Sequence, residues 1–125
     1  MPVRIQRESF DAGAELAALT QGRADIGASV TFVGQVRAQG TSEGLATLTL
    51  EHYPAMAAAE LARIAEEAAA RFAIAEILIV HRFGELSPGE PIVLVIATAT
   101  SRQPAFDAAN FAMDYLKTEA PFWKR

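Results

Sequence analysis

Two runs rich in β-branched residues, at positions 76–83 and 92–100, constrain the fold of this chain more than any other feature. Each has the length of one strand, and together they predict two central strands of one sheet. The residues between them, 84–91, contain two glycines and two prolines and predict a turn-rich connection.

The rest of the hydrophobic pattern predicts three further strands and three helices. Alternation with a period of two indicates strands, and apolar residues spaced three and four apart indicate helices. Asp11 is the predicted N-cap of the first helix. The strands are expected at 3–6, 28–37 and 45–53, and the helices at 12–19, 56–72 and 104–119. The resulting order, β-α-β-β-α-β-β-α, predicts an α+β domain with a mixed or antiparallel sheet.

The pattern also predicts how the second and third strands are connected. Strand 28–37 is expected to pair with strand 45–53 as a long hairpin. Residues 38–44 between them have no apolar anchor and two glycines, which predicts a mobile loop.

The buried stripe of the last helix is predicted at Phe106, Ala109, Met113 and Leu116.

The composition limits the class of protein. The 125 residues, 51% of them apolar, fit one domain spanning positions 1–125. With no cysteine, the chain has no disulfide, thiolate or cysteine-bound metal, and a cytoplasmic location is expected. A net charge of −4 argues against a broad surface for nucleic acid or anionic membrane, although it leaves room for a local basic pocket.

Lysine is confined to the end of the chain. Only Lys117 and Lys124 are lysines, whereas the other nine basic residues are arginines. A lysine near a helix end is usually a surface charge stabilised by the helix dipole, and Asp114 offers Lys117 a partner. In the functional alternative, Phe122 and Trp123 fix the position of Lys124. A partly desolvated lysine beside another cation can then act as a base or nucleophile.

A second candidate site lies where the strand at 92–100 leads into the last helix. Ser101 and Arg102 precede Pro104, which suits a first helical turn, so free backbone N–H groups should lie beside them and attract an anion. The simpler interpretation is a helix cap with a solvated arginine. His52 and His81 lack metal-ligand spacing and are interpreted as histidines satisfied within strands.

Four stretches of this sequence closely resemble the catalytic, large subunit of molybdopterin synthase. They are VTFVGQVR at 30–37, LTLEHYPAM at 48–56, HRFGEL with PGE within 81–90, and MDYLKTEAPFWK at 113–124. The resemblance covers almost the whole chain. It implies an α/β hammerhead fold and a dimer of large subunits, each of which binds a small ubiquitin-like sulfur carrier to give a heterotetramer.

The family resemblance also implies the reaction. The carrier's C-terminal thiocarboxylate delivers sulfur to cyclic pyranopterin monophosphate, and two rounds complete the dithiolene of molybdopterin in molybdenum cofactor biosynthesis. No cofactor or metal is expected on this chain, because the sulfur arrives on the partner. No nucleic acid or membrane partner is expected either.

The same resemblance assigns site residues. Lys117 and Lys124 are the active-site lysines, the first assigned to proton transfer or activation and the second to holding carboxylate or phosphate oxygens, with the roles exchangeable. Arg37 and Arg102 bind the anionic substrate, and Phe32 lines the pocket. These cations are expected to share one pocket that stabilises developing negative charge.

Two departures from the family pattern leave alternatives open. Ser101 stands where the family often has histidine, which removes a candidate proton carrier, and the chain ends at Arg125 whereas relatives continue with a charged segment. The first alternative is a non-catalytic subunit that retains the fold and the carrier groove. The second is a phosphate-ligand sensor built around Arg102.

Overall fold

The computed structural model describes residues 2–37, 46–48 and 54–119. Within these ranges the chain forms six strands and three helices. In chain order they are β1 (Val3–Gln6), α1 (Ala12–Thr20), β2 (Ala28–Gln35), β3 (Ala46–Leu48), α2 (Pro54–Arg71), β4 (Glu76–Arg82), β5 (Gly84–Leu86), β6 (Pro91–Ala99) and α3 (Arg102–Glu119). The predicted α+β class is confirmed, with one additional short strand, β5.

Four strands form the main sheet in the order β1-β4-β6-β2. The β1–β4 pair is parallel, and the β4–β6 and β6–β2 pairs are antiparallel, so the sheet is mixed as predicted. The two β-branched runs become β4 and β6, which are the central strands. Among the described strands, β2 lies at one edge of this sheet.

Both faces of the central strands are buried, which explains why their sequences are almost continuously apolar. Successive side chains of a strand point to opposite faces. In β4, Ile77 and Ile79 therefore pack against α2 and α3, whereas Leu78 and Val80 pack against α1 and Phe10.

Helix α2 follows the predicted amphipathic pattern, and the predicted N-cap of α1 is observed. The buried stripe of α2 consists of Leu61, Ile64, Ala65 and Ala68. Asp11 caps α1, because its side chain accepts a hydrogen bond of 3.0 Å from the Ala14 amide. Both predictions are confirmed.

The predicted hairpin between strands 28–37 and 45–53 is wrong. Strand β3 pairs with β5 in a separate two-stranded sheet, with Ala46 opposite Leu86 and Leu48 opposite Gly84. Gly84 adopts a φ of 102°, which glycine tolerates and which turns the chain out of β4 into β5. Strand β3 therefore pairs with β5, which is distant in sequence, and not with its sequence neighbour β2. The predicted loop at 38–44 and the rest of the predicted strand, 49–53, lie outside the described residues.

The buried stripe of α3 also differs from the prediction, because Met113 is only partly buried and Phe106 is exposed. Phe106 is 56% exposed, whereas Ala109 and Leu116 are buried as expected. The helix packs on the sheet through small side chains, which allow a close approach. They are Ala105, Ala108, Ala109 and Ala112, with Leu116 at the end. Phe106 follows Ala105 in the helix but lies outside this contact with the sheet.

Candidate active site

A groove of about 470 Å³ runs between the edge strand β2 and helix α3. Val30, Thr31 and Phe32 line it on the strand, and Phe106 and Met113 are among its lining residues on the helix. Phe32 and Phe106 remain 39% and 56% exposed. The groove therefore has apolar walls that face solvent. The polar residues that line it from the helix are Gln103, Asp107 and Asn110.

The predicted site residues lie toward opposite ends of this groove. Strand β2 is antiparallel to β6, and the two-residue connection after β6 turns α3 back along the sheet, so α3 runs in the direction of β2. Lys117 in the last turn of α3 and Arg37 just beyond β2 therefore lie toward the same end, and both are exposed. Ser101 and Arg102, also exposed, lie toward the other end.

The separation of the two ends follows from helix geometry. Arg102 and Lys117 are the first residue of α3 and a residue of its last turn. At about 1.5 Å of rise per residue, their positions are about 22 Å apart along the helix axis. The structure thus brings Phe32 into the groove without gathering all the predicted cations around one point. Lys124 lies outside the described residues.

The end of the groove at Ser101 and Arg102 depends on a close backbone contact. The Gly27 amide donates a hydrogen bond of 2.9 Å to the Ala99 carbonyl. A Cβ atom at Gly27 would lie 2.1 Å from the backbone oxygen of Thr100, so only glycine fits there. In the first turn of α3, the Gln103 side chain donates to Asp107 Oδ1 at 2.9 Å.

The end of the groove at Arg37 is held by a network that the sequence analysis missed. Arg82 is nearly buried, with 9% of its side chain exposed, and its Nη1 lies 3.2 Å from Glu90 Oε1. The other carboxylate oxygen of Glu90 accepts from the Ser87 amide at 2.9 Å. The hydrogen bond from Ser87, followed by the one from Arg82, lowers the pKa of Glu90. The signal for this network in the sequence was an arginine and a glutamate on either side of a Pro-Gly turn.

His81 is buried in β4, as its interpretation as a strand histidine requires. Its Nδ1 lies 2.8 Å from the Arg82 carbonyl oxygen, which accepts the proton of the Nδ1–H tautomer. Burial lowers the pKa of His81 to about 4, against the smaller opposing effect of this hydrogen bond. His81 is therefore neutral at pH 7. His52 lies outside the described residues.

The described part of the chain also bears on metal and membrane binding. No three His, Asp or Glu side chains are grouped there as ligands for a metal ion. None of its helices combines the length and the apolar character that crossing a membrane requires.

Comparison with known proteins identifies the family. The family model described as "MoaE protein" matches residues 5–119. The molybdopterin synthase catalytic subunit of Mesorhizobium japonicum is 57% identical over 123 residues, which are 98% of this chain and 76% of that protein. The corresponding subunit of Rhizobium meliloti is 53% identical over 123 residues, which are 98% of this chain and 78% of that protein.

A solved structure extends the similarity to the fold. The molybdopterin biosynthesis MoaE protein of Burkholderia ambifaria superposes with a TM-score of 0.83 at 44% identity, over 97% of this chain and 79% of that one. Family match, sequence identity and fold agree over nearly the full length. The chain therefore belongs to the MoaE family, that of the molybdopterin synthase catalytic subunits.

Proposed function

We propose that this protein is the catalytic subunit of a molybdopterin synthase. It is a sulfurtransferase that converts cyclic pyranopterin monophosphate to molybdopterin with two sulfurs from the thiocarboxylate of a small ubiquitin-like carrier. The observation that carries the proposal is the family match over residues 5–119. That range includes Phe32, Arg37, Ser101, Arg102 and Lys117.

The chemistry explains why cations are needed. The substrate carries a phosphate and the carrier tail a thiocarboxylate, so binding brings two anions together. Once the carrier's sulfur is bonded to the pterin, water attacks the acyl carbon, the acyl carbon–sulfur bond breaks and the carrier leaves as a carboxylate. Negative charge develops on the acyl oxygen and then on the departing sulfur. An ammonium group at Lys117 stabilises that charge or supplies a proton, and Arg37 binds phosphate oxygens. Lys124 holds carboxylate or phosphate oxygens in the same proposal.

The separation of the two groove ends bears on how the subunits assemble. A separation of about 22 Å along α3 places the backbones of Arg102 and Lys117 of one chain at different ends of the groove. The protein acts as a dimer with one carrier per subunit. In such a dimer the Ser101 and Arg102 end of one copy can complete the Lys117 end of the other.

The proposed setting is the cytoplasm, and the chain itself holds no cofactor or metal. The sequence contains no cysteine, so a persulfide on this chain cannot be the sulfur source. The sulfur must therefore arrive on the carrier. The partners are the carrier, a second copy of the chain and the pterin phosphate, without nucleic acid or membrane.

A non-catalytic carrier-binding subunit is the second candidate, and Ser101 is the observation that favours it. The hydroxyl of serine cannot carry a proton at neutral pH as an imidazole does. If the reaction required imidazole at this position, the protein would bind carrier without making product.

Turnover distinguishes the two candidates. The wild-type protein is mixed with thiocarboxylated carrier and cyclic pyranopterin monophosphate, and both molybdopterin and the spent carrier are quantified. We expect molybdopterin to form, with two thiocarboxylates consumed for each molecule. Carrier binding without molybdopterin would instead establish the non-catalytic candidate.

A further inference from the structure

Val36, which joins β2 to Arg37, lies beyond the pairing of the main sheet. The β2–β6 register shifts between Gly34 and Gln35, and Gln35 lies opposite Pro91. Proline has no backbone N–H, so the regular ladder cannot continue past this point. Another element must therefore hold the residue before Arg37.

A tight turn at residues 87–90, here called the 87–90 turn, takes over the pairing. The Val36 amide donates to the Glu90 carbonyl at 2.9 Å, and the Gly89 amide donates to the Val36 carbonyl at 2.7 Å. The side chain of Gln35 adds a third hydrogen bond, from Nε2 to the Gly89 carbonyl at 3.2 Å. Both backbone polar groups of Val36 are thus bound to the turn.

The shape of the 87–90 turn is fixed by Glu90. Its amide donates to the Ser87 carbonyl at 3.0 Å, and its carboxylate accepts from the Ser87 amide at 2.9 Å. Gly89 has a φ of 93°, a conformation that suits glycine. Glu90 therefore closes the turn through both its backbone and its side chain.

Arg82 ties this turn to the main sheet. Its Nη1 donates to Glu90 Oε1 at 3.2 Å and to the Pro91 carbonyl at 2.9 Å. Its Nε donates to the Arg7 carbonyl, just after β1, at 3.0 Å. One nearly buried guanidinium thus joins the ends of β1 and β4 to the start of β6. Such charge-assisted hydrogen bonds are stronger than neutral ones and have a defined direction.

We propose that Arg82 and Glu90 form a clamp that positions Arg37 for the anionic substrate, by ordering Val36 through the 87–90 turn. The clamp residues do not touch the substrate. They act through the backbone of the residue adjacent to Arg37. The inference rests on the proposed function, in which Arg37 binds phosphate oxygens.

The test uses Glu90→Gln, because the amide oxygen retains one acceptor while the charge that binds Arg82 is lost. Glu85→Gln is the matched control: it is the same substitution at an exposed position in the neighbouring strand β5. The KM for the pterin phosphate and kcat are measured for both, for Arg37→Ala, and for the double variant Glu90→Gln/Arg37→Ala. Amide hydrogen exchange at Val36 and Gly89 is measured in parallel.

Glu90→Gln is expected to raise KM about tenfold with little change in kcat, and to accelerate exchange at Val36 and Gly89. Glu85→Gln should change neither. Adding Glu90→Gln to Arg37→Ala should produce no further increase in KM, because both variants remove the same interaction.

Each contrary result has its own meaning. Faster exchange in Glu90→Gln with unchanged KM, or independent multiplication of the two KM effects, overturns the clamp as a positioning device. Unchanged exchange in Glu90→Gln overturns it as an ordering device. If Arg37→Ala itself leaves KM unchanged, the error lies in the role of Arg37 under the proposed function, and the exchange data still show whether the clamp orders Val36.

Discussion

The two ends of the groove between β2 and α3 are stabilised by different kinds of interaction. At the Arg102 end, Gly27 lies so close to the Thr100 carbonyl that a single added carbon would overlap it. At the Arg37 end, a buried guanidinium and a carboxylate hold an exposed turn through hydrogen bonds. The first end depends on shape, and the second depends on charge. They should therefore respond to different perturbations.

Gly27→Ala should have the largest effect on stability. Its Cβ would lie 2.1 Å from a backbone oxygen, so the start of β2 or the end of β6 must move. We expect a loss of about 3 kcal/mol in the free energy of unfolding, measured by denaturant titration.

Gly13→Ala in α1 is the matched control for that variant. A Cβ at Gly13 would make only an ordinary contact of 3.5 Å with Asp11 Oδ1. Since alanine favours helices, this variant should be stabilised by up to about 1 kcal/mol. Equal effects of the two substitutions would show that the close contact at Gly27 is not a constraint.

Low pH should destabilise the Arg37 end of the groove through His81, which directly precedes Arg82. The folded-state pKa of His81 is lowered to about 4, whereas an unfolded histidine titrates near 6.5. Between these values the unfolded state binds more protons, so the free energy of unfolding falls as the pH falls from 6.5 toward 4. The decrease in the free energy of unfolding that His81 causes is complete below pH 4, where it amounts to about 3 kcal/mol.

His81→Gln isolates this contribution, because glutamine does not titrate. Its free energy of unfolding should depend less steeply on pH than that of the wild type between pH 6.5 and 4. Parallel curves for the two proteins would mean that His81 does not stay neutral in the folded state.

The sequence predicted the parts of the fold that depend on local pattern. Continuous β-branched runs marked β4 and β6 as central strands, and the 3-4 spacing from Leu61 to Ala68 marked the buried face of α2. The partner of β3 was predicted incorrectly because strand pairing is non-local, and the short strand β5 is hidden in a turn-rich segment. Phe106 was misassigned because a large apolar residue outweighed the alanines that form the actual contact.

The sequence proposed residues for the candidate site but did not predict their arrangement. Family resemblance named Lys117, Arg37 and Arg102 as site residues, and those roles stay predictions. Only the direction of α3 along β2 shows that these residues lie toward two ends of one groove. Arg82 and Glu90 were seen only as part of a family motif, because eight residues of separation conceal a contact that a turn creates.

Lys117→Ala provides the most direct test of the account. Molybdopterin formation is measured in single turnover with thiocarboxylated carrier and cyclic pyranopterin monophosphate, alongside Glu66→Ala, a change at an exposed residue of α2. Because an alanine at position 117 cannot stabilise charge or supply a proton, we predict a rate loss of at least about 100-fold with unchanged thermal stability. Glu66→Ala should retain the wild-type rate. A Lys117→Ala protein that makes molybdopterin at the wild-type rate would contradict the assignment of the active site to this end of the groove.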